Sequence, residues 1–141
     1  MCPISTHKFP GRYDSLEKID SVVRQAAESI NLEPSAVYAV ETAVDEACSN
    51  IIEHAYGGEG KGEIELIIES SEKALTVILR DHGRPFDPST IPTPNLKAPV
   101  KKRKENGLGY YMMCCWMDEV KFSFTDEYNQ LTMIKYKHKE G

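Results

Sequence analysis

The chain has 141 residues, of which 40% are hydrophobic and 28% charged, and its formal net charge is −5. This composition is typical of one soluble globular domain, so we expect a single domain over residues 1–141 with no room for a second. The acidic balance argues against nucleic acid as the main partner. No apolar stretch approaches the roughly 20 residues that span a bilayer, so we expect no membrane insertion and a cytoplasmic location.

Two helices are predicted in the first part of the chain. Asp14 is expected to cap the first helix together with Glu17 three residues later, and apolar residues then recur at helical spacing. Pro34 stands in the first turn of a longer second helix, which runs to about Tyr56 and ends at Gly57-Gly58. Both helices therefore have an apolar side that can pack on a core.

One face of the second helix is polar. At about 100° per residue, Glu46, Asn50 and Glu53 lie together on the side opposite the apolar stripe. Taken alone, this pattern is typical of the solvated side of a helix.

A hairpin and a long loop follow. Glu63–Ser70 and Lys73–Arg80 are rich in Ile, Leu and Val and are predicted to be strands that are covered on much of both faces. Residues 81–88 contain several turn formers, and residues 89–106 are predicted to be a loop that carries three prolines and the basic run Lys101–Lys104. Loops this long in a small domain are often functional lids.

The last third of the chain predicts a helix and two more strands. The helix, Tyr110 to about Met117, is dense in Met, Cys and aromatic residues and is expected to be largely buried. The strands are Glu119–Thr125 and Leu131–Lys137, joined by the polar turn Asp126–Gln130. The order α-α-β-β-lid-α-β-β predicts an α+β, two-layer sandwich with helices on one face of a mostly antiparallel sheet.

The four cysteines suggest neither a disulfide framework nor a zinc site. Cys114 and Cys115 are adjacent, Cys2 and Cys48 are isolated, and no CxxC spacing occurs. We expect reduced thiols, with Cys48 and one member of the adjacent pair buried as small apolar residues.

Three polar motifs stand in an order that points to a single nucleotide site. Glu46 and Asn50 share a helical face, Asp81-x-Gly83 follows a strand, and Gly107-x-Gly109 opens a helix. A helix N-terminus offers free N–H groups and a positive dipole end to a phosphate. Each motif is weak alone, but together they contain the parts that could converge on one nucleotide.

These motifs resemble those of the GHKL ATPase superfamily. Val44–Tyr56 is similar to its N box, Asp81–Asp87 to its first glycine box, and Asn106–Tyr110 with Met117–Val120 to its second. The resemblance covers nearly the whole chain and is closest to the bacterial anti-sigma factor serine/threonine kinases. It implies the Bergerat, histidine-kinase-like ATPase fold, with Mg-ATP bound between the long helix and the lid.

The resemblance also implies individual residue roles. Glu46 matches the proposed general base, which accepts the proton of the incoming hydroxyl. Asn50 matches the magnesium ligand, and an amide oxygen is a hard donor of the kind that Mg²⁺ accepts. Asp81 matches the residue that accepts a hydrogen bond from the adenine amino group, and Gly83 lets the backbone pass close to the purine.

The third motif implies the phosphate contacts. Gly107 and Gly109, with Leu108 between them, match the segment whose amides meet the phosphates, and residues 89–106 match the flexible ATP lid. Lys104, in the basic run, could contact either the phosphate tail or a partner protein, and the resemblance leaves these alternatives open.

The family's activity implies protein partners. Its members bind a sigma factor or another regulator and phosphorylate a small antagonist protein on Ser or Thr, and they commonly form homodimers. Two alternatives remain open: a non-catalytic nucleotide-binding module that acts by stoichiometric association, and the ATPase half of a histidine kinase. The histidine-kinase alternative is disfavoured because Arg84-Pro85-Phe86 replaces the usual continuation of the Asp-x-Gly motif.

Overall fold

A computed structural model describes residues 4–85 and 108–137 of the chain. These residues form one antiparallel sheet with helices on one face, so the predicted α+β class is confirmed. In chain order the elements are β1 (Ile4–Pro10), a 3-10 turn (Tyr13–Ser15), α1 (Leu16–Ser29), α2 (Pro34–Asn50), a π-helical segment (Ile51–Ala55), β2 (Glu63–Ser70), β3 (Ala74–Asp81), α3 (Leu108–Trp116), β4 (Glu119–Phe124) and β5 (Asn129–Tyr136).

The predicted element order lacked the first strand. β1 lies at the edge of the sheet and pairs antiparallel with β2, with Phe9 opposite Ile64. Most of its side chains are exposed, so its sequence shows little of the apolar alternation that identifies a half-buried strand. Pro10 at its end is tolerated because an edge strand leaves one row of backbone groups without a ladder partner.

The sheet has the strand order β1-β2-β3-β5-β4. The predicted β2–β3 hairpin is confirmed, and β5 pairs with both β3 and β4. Every second residue of β2 and β3 is buried on the side facing the helices, while residues between them, such as Ile67 and Ile78, are only half-buried. The expectation that both faces are covered was therefore wrong: within the described residues, helices pack on one face alone.

The core lies between the helices and this buried face. α1 contributes Ile19, Val23 and Ala27 at four-residue spacing, each with no exposed surface. Burying a side chain of the size of Ile or Leu contributes about 1.5–3 kcal/mol to the stability of the fold. No helix in the described part of the chain has the length and apolar composition needed to cross a membrane.

The first helix begins differently from the prediction. α1 starts at Leu16 with Ser15 as its N-cap residue, and Asp14 lies in the preceding 3-10 turn. No side-chain capping bond forms there; the Ser15 hydroxyl instead donates to the Pro10 carbonyl at 2.8 Å. The predicted Asp14–Glu17 capping box is therefore wrong, because the 3-10 turn moves the helix start one residue along the chain.

The second helix changes its winding near its end. It is α-helical from Pro34, as predicted, to Asn50, and residues Ile51–Ala55 form a π-helical segment. Short π segments are rare and occur frequently at functional sites. Glu53 therefore lies beyond the last α-helical turn, so the predicted α-helical alignment of Glu53 with Glu46 and Asn50 does not hold.

The third helix is less buried than expected. It runs over Leu108–Trp116, and Met113 is buried, but Cys114 and Cys115 are both exposed. The expected burial of Cys48 is confirmed, whereas the expected burial of one of the adjacent cysteines is wrong. The helix packs on α2 and β4, so only the side that faces them is covered.

Candidate functional site

The end of β3 carries a buried carboxylate that two donors hold in place. Asp81 is 6% exposed, and its Oδ1 accepts hydrogen bonds from the Gly83 backbone N–H and from Asn129 Nδ2, each at 2.9 Å. The first bond closes a tight turn after the strand, and the second comes from the neighbouring strand β5. The Asp81 carboxylate is thus fixed from two directions.

The second oxygen of this carboxylate is open. Both hydrogen bonds go to Oδ1, and among residues 4–85 and 108–137 no donor reaches Oδ2. This oxygen is not among the fully enclosed atoms that lack a partner, so a ligand can reach it and supply the donor that the described residues do not. The exocyclic amino group of adenine is such a donor, so Asp81 fits an adenine nucleotide.

The turn after Asp81 lies directly against the π-helical segment. A Cβ atom added at Gly83 would stand 2.4 Å from the Ala55 carbonyl oxygen, which leaves room for glycine alone. The same carbonyl accepts a hydrogen bond from the Arg84 backbone N–H at 2.8 Å. Asn129 Nδ2 also donates to the Gly83 carbonyl at 2.9 Å, so the turn is held between β5 and the helical layer.

Sequence reasoning did not identify Asn129. The prediction assigned it to the polar turn Asp126–Gln130, whereas the structure places it at the start of β5, opposite Asp81, and only 8% exposed. Asparagine is depleted in strands, and its buried position depends on the partner strand. The local sequence therefore carried no signal that would have separated Asn129 from the turn.

Glu46 and Asn50 lie one turn apart on α2. Both are half-buried, and Asn50 is the last residue of the α-helical part, immediately before the π segment. Within the described part of the chain, neither side chain forms a hydrogen bond or ion pair. Two polar side chains on one helical face are thus available to a ligand. The continuous helix connects them with Ala55, which contacts the turn after Asp81.

The donor set on α2 fits magnesium bound through a nucleotide. An amide oxygen and a carboxylate are hard ligands, and Mg²⁺ usually takes only one or two protein ligands while it keeps waters and phosphate oxygens. No group of three or more His, Cys, Asp or Glu side chains able to hold a metal occurs among the residues that the structure describes. An Asn50 amide oxygen that holds Mg²⁺ would complement the phosphate oxygens of the nucleotide.

The structure describes only some of the residues that are predicted to bind the phosphates. Leu108 and Gly109 are the first two residues of α3, which packs against α2. Gly107 and Lys104 lie outside the described residues, as does the predicted lid at residues 89–106. Roles for these residues stay predictions.

Two neighbouring carboxyl groups, those of Asp20 on α1 and Asp45 on α2, lie at the contact between these helices. The Oδ1 atoms of both carboxyl groups are buried and without a hydrogen-bond partner among the described residues. Burial, the neighbouring Asp45 carboxyl and the charge of Glu41 raise the pKa of Asp20 to about 8, while Arg24 opposes the shift. Arg24 itself binds Glu41 at 2.7 Å. At neutral pH Asp20 therefore retains its proton, which removes the charge repulsion between the two carboxyl groups at the contact of α1 and α2.

Comparisons with known proteins agree with the fold and with the sequence motifs. A family model described as the histidine kinase-like ATPase domain matches residues 9–135. The proteins named serine-protein kinase RsbW from Bacillus cereus (strain G9842) and Bacillus mycoides (strain KBAB4) are each 29% identical over 137 residues, which cover 94% of this chain and 84% of theirs. These matches confirm the resemblance drawn from the sequence motifs.

A solved structure has the same fold. The structure described as the RsbU and RsbW domains of Rv1364c from Mycobacterium tuberculosis aligns with a TM-score of 0.66 and 14% identity. The alignment covers 94% of this chain and 31% of that longer chain. At this identity the likeness concerns the fold alone, and it agrees with the two-layer arrangement described above.

Proposed function

The chain belongs to the histidine kinase-like ATPase domain family, and we propose that it is an ATP-dependent serine/threonine protein kinase that acts as an anti-sigma regulatory factor. It would bind a sigma factor or similar regulator and phosphorylate a small antagonist protein. The observation that carries the proposal is the Asp81 carboxylate, with one oxygen held by Gly83 and Asn129 and the other open. The similarity to proteins named serine-protein kinase supports the choice of phosphoryl acceptor.

Recognition of the base follows from the chemistry of Asp81. Its open oxygen accepts a hydrogen bond from the amino group of adenine, whereas guanine presents a carbonyl oxygen at the equivalent position. Two acceptors facing each other repel, and the buried carboxylate would lose its partner. We therefore expect ATP to bind more tightly than GTP, with Gly83 allowing the backbone to approach the purine.

Phosphoryl transfer needs a base and charge neutralisation. In the proposed step, the Ser or Thr hydroxyl oxygen of the antagonist forms a bond to the γ-phosphorus, and the bond to the β,γ-bridging oxygen breaks to release ADP. Glu46 accepts the hydroxyl proton. Asn50 would hold Mg²⁺, which when bound neutralises phosphate charge. Gly107, Leu108, Gly109 and Lys104 are proposed to contact the phosphates.

The partners remain defined by chemical class. The phosphate acceptor would be a serine or threonine on a second protein, and the regulated partner a sigma factor or similar regulator. Both classes act in the cytoplasm, which is the location expected from the sequence. A homodimer is a further expectation from the family resemblance.

The proposal is tested by phosphoryl transfer with matched acidic variants. The antagonist is first identified by mass spectrometry of proteins that co-purify with the chain, and it is then incubated with the chain, MgCl₂ and γ-labelled ATP. Glu46→Gln should lower transfer by about 10²- to 10⁴-fold while ADP affinity stays within a factor of two. Glu53→Gln removes a carboxylate from the adjacent π segment and should leave transfer unchanged.

Three outcomes would count against the proposal. Failure of the wild-type chain to bind ATP or ADP would exclude an ATP-dependent activity. ADP binding without transfer to any co-purifying protein would indicate a non-catalytic nucleotide-binding module. Undiminished phosphoryl transfer by Glu46→Gln would show that Glu46 is not the general base.

A further inference from the structure

Tyr56 connects three segments of the chain through one hydroxyl group and one ring. It immediately follows the π segment and is half-buried. Its hydroxyl accepts a hydrogen bond from the His82 backbone N–H at 2.9 Å and donates one to the Glu63 carbonyl at 2.6 Å. The hydroxyl therefore bridges the start of β2 and the turn between Asp81 and Gly83.

The Tyr56 ring is held by two glycines. A Cβ atom at Gly62 would lie 2.3 Å from Cε1 of the ring, and one at Gly11 would lie 3.4 Å from Cδ2. Gly11 and Gly62 are also joined by a backbone hydrogen bond of 2.7 Å. Because backbone surrounds the ring this closely, its hydroxyl has a defined position. Burial raises the pKa of Tyr56, which keeps the hydroxyl protonated and able to donate.

Two consecutive residues hold the turn from the helical side. The Ala55 carbonyl accepts the Arg84 N–H at 2.8 Å, and the Tyr56 hydroxyl accepts the His82 N–H at 2.9 Å. From the opposite side, Asn129 binds both the Asp81 carboxylate and the Gly83 carbonyl. The backbone between Asp81 and Gly83 is thus fixed on both sides. Its orientation sets the direction of the open Asp81 oxygen.

We propose that Tyr56 is a positioning residue for base recognition, which holds the backbone of His82 and so orients the Asp81 carboxylate toward an adenine amino group. This inference rests on the proposed nucleotide binding and adds a residue to it. Tyr56 does not touch the nucleotide in this arrangement; it acts through the turn. Because Tyr56 directly follows the helix that carries Asn50, it also fixes the position of the turn after Asp81 relative to Asn50.

The test compares purine selectivity in two tyrosine variants of the full chain. Tyr56→Phe keeps the ring and removes the hydroxyl, and Tyr38→Phe makes the same change at a tyrosine that is 72% exposed on α2. Affinities for Mg-ADP and Mg-GDP are measured by titration calorimetry, and exchange of the His82 amide hydrogen is followed by NMR. Loss of one neutral hydrogen bond corresponds to about a 3- to 10-fold effect.

Tyr56→Phe should lower ADP affinity about 3- to 10-fold, leave GDP affinity nearly unchanged and accelerate His82 amide exchange, while Tyr38→Phe should match the wild type. The ADP-to-GDP ratio does not depend on the folded fraction, so a general loss of stability would not reproduce this result. An unchanged ADP-to-GDP affinity ratio in Tyr56→Phe would overturn the inference about Tyr56 and leave the proposed function standing. A wild-type chain that binds neither nucleotide would overturn the proposed function, and the inference with it.

Discussion

Asn129 of β5 donates a side-chain hydrogen bond of 2.9 Å to Asp81 of β3, and the two residues lie directly opposite each other in the β3–β5 register. This pair joins the Asp81 carboxylate to the neighbouring strand of the sheet. The same amide nitrogen also contacts the Gly83 carbonyl. One buried side chain thus orients both the carboxylate and the turn that follows it.

Replacing Asn129 should weaken adenine nucleotide binding. Asn129→Ala removes a donor to a charged group, and such bonds contribute about 1.5–3 kcal/mol, so we expect ADP affinity to fall about 10-fold or more. Gln130→Ala provides the control, because Gln130 lies on the other face of the same strand and binds Arg80. Titration calorimetry measures both variants, and equal ADP affinity in the two would contradict the assignment.

Adding a methyl group at Gly83 should disturb the turn itself. The new Cβ of Gly83→Ala would stand 2.4 Å from a backbone carbonyl oxygen, which cannot move without displacing the π segment. Overpacking of this kind costs about 1–3 kcal/mol. We expect a lower Tm and loss of ADP binding, measured by thermal unfolding with and without ADP. A variant with wild-type Tm and affinity would show that the turn adapts freely.

Asn50 should determine the magnesium dependence of binding. In Asn50→Ala, the increase in ADP affinity that Mg²⁺ produces should be reduced, because the protein no longer supplies an oxygen ligand to the ion. Affinity measured in EDTA should equal that of the wild type. Ser49→Ala, at the neighbouring position on α2, is the control. The same Mg²⁺ effect in Asn50→Ala and wild type would exclude Asn50 as the ligand.

The Asp20–Asp45 pair should make stability depend on pH. The pKa of Asp20 is about 8 in the folded chain, against about 4 for an unperturbed Asp in the unfolded chain. Between these values the folded state binds more protons than the unfolded state, so stability falls as pH rises from about 4 to 8 and levels off above. Asp20→Asn, which cannot titrate, should lack this decline and have the higher Tm at pH 8.

The measurement is a series of thermal unfolding curves from pH 5 to 9. Glu17→Gln, which neutralises an exposed carboxyl on the same helix, should retain the wild-type pH dependence. Parallel pH profiles for wild type and Asp20→Asn would show that the pKa of Asp20 is not raised in the folded chain.

The helices and the central hairpin were predictable because their signals are local. Ile19 and Val23 follow a helical period, and β2 and β3 are continuous runs rich in Ile, Leu and Val. Each pattern identifies its element without knowledge of the partner, although the runs did not show that only one face of the two strands packs on helices. The β1 strand was missed because its main contribution is backbone pairing, which leaves little trace in the side chains.

The sequence by itself determined the fold class, the chain order of the three motifs and the identities of Glu46, Asn50, Asp81 and Gly83 as candidate site residues. Only the tertiary structure decided which contacts hold Asp81 and the turn after it. The helix continues as a π segment after Asn50, the Tyr56 hydroxyl accepts a hydrogen bond from the turn, and Asn129 donates one to Asp81. The physical reason is distance along the chain. Asp81 and Asn129 are 48 positions apart, and a hydrogen bond between them exists only because β5 pairs with β3.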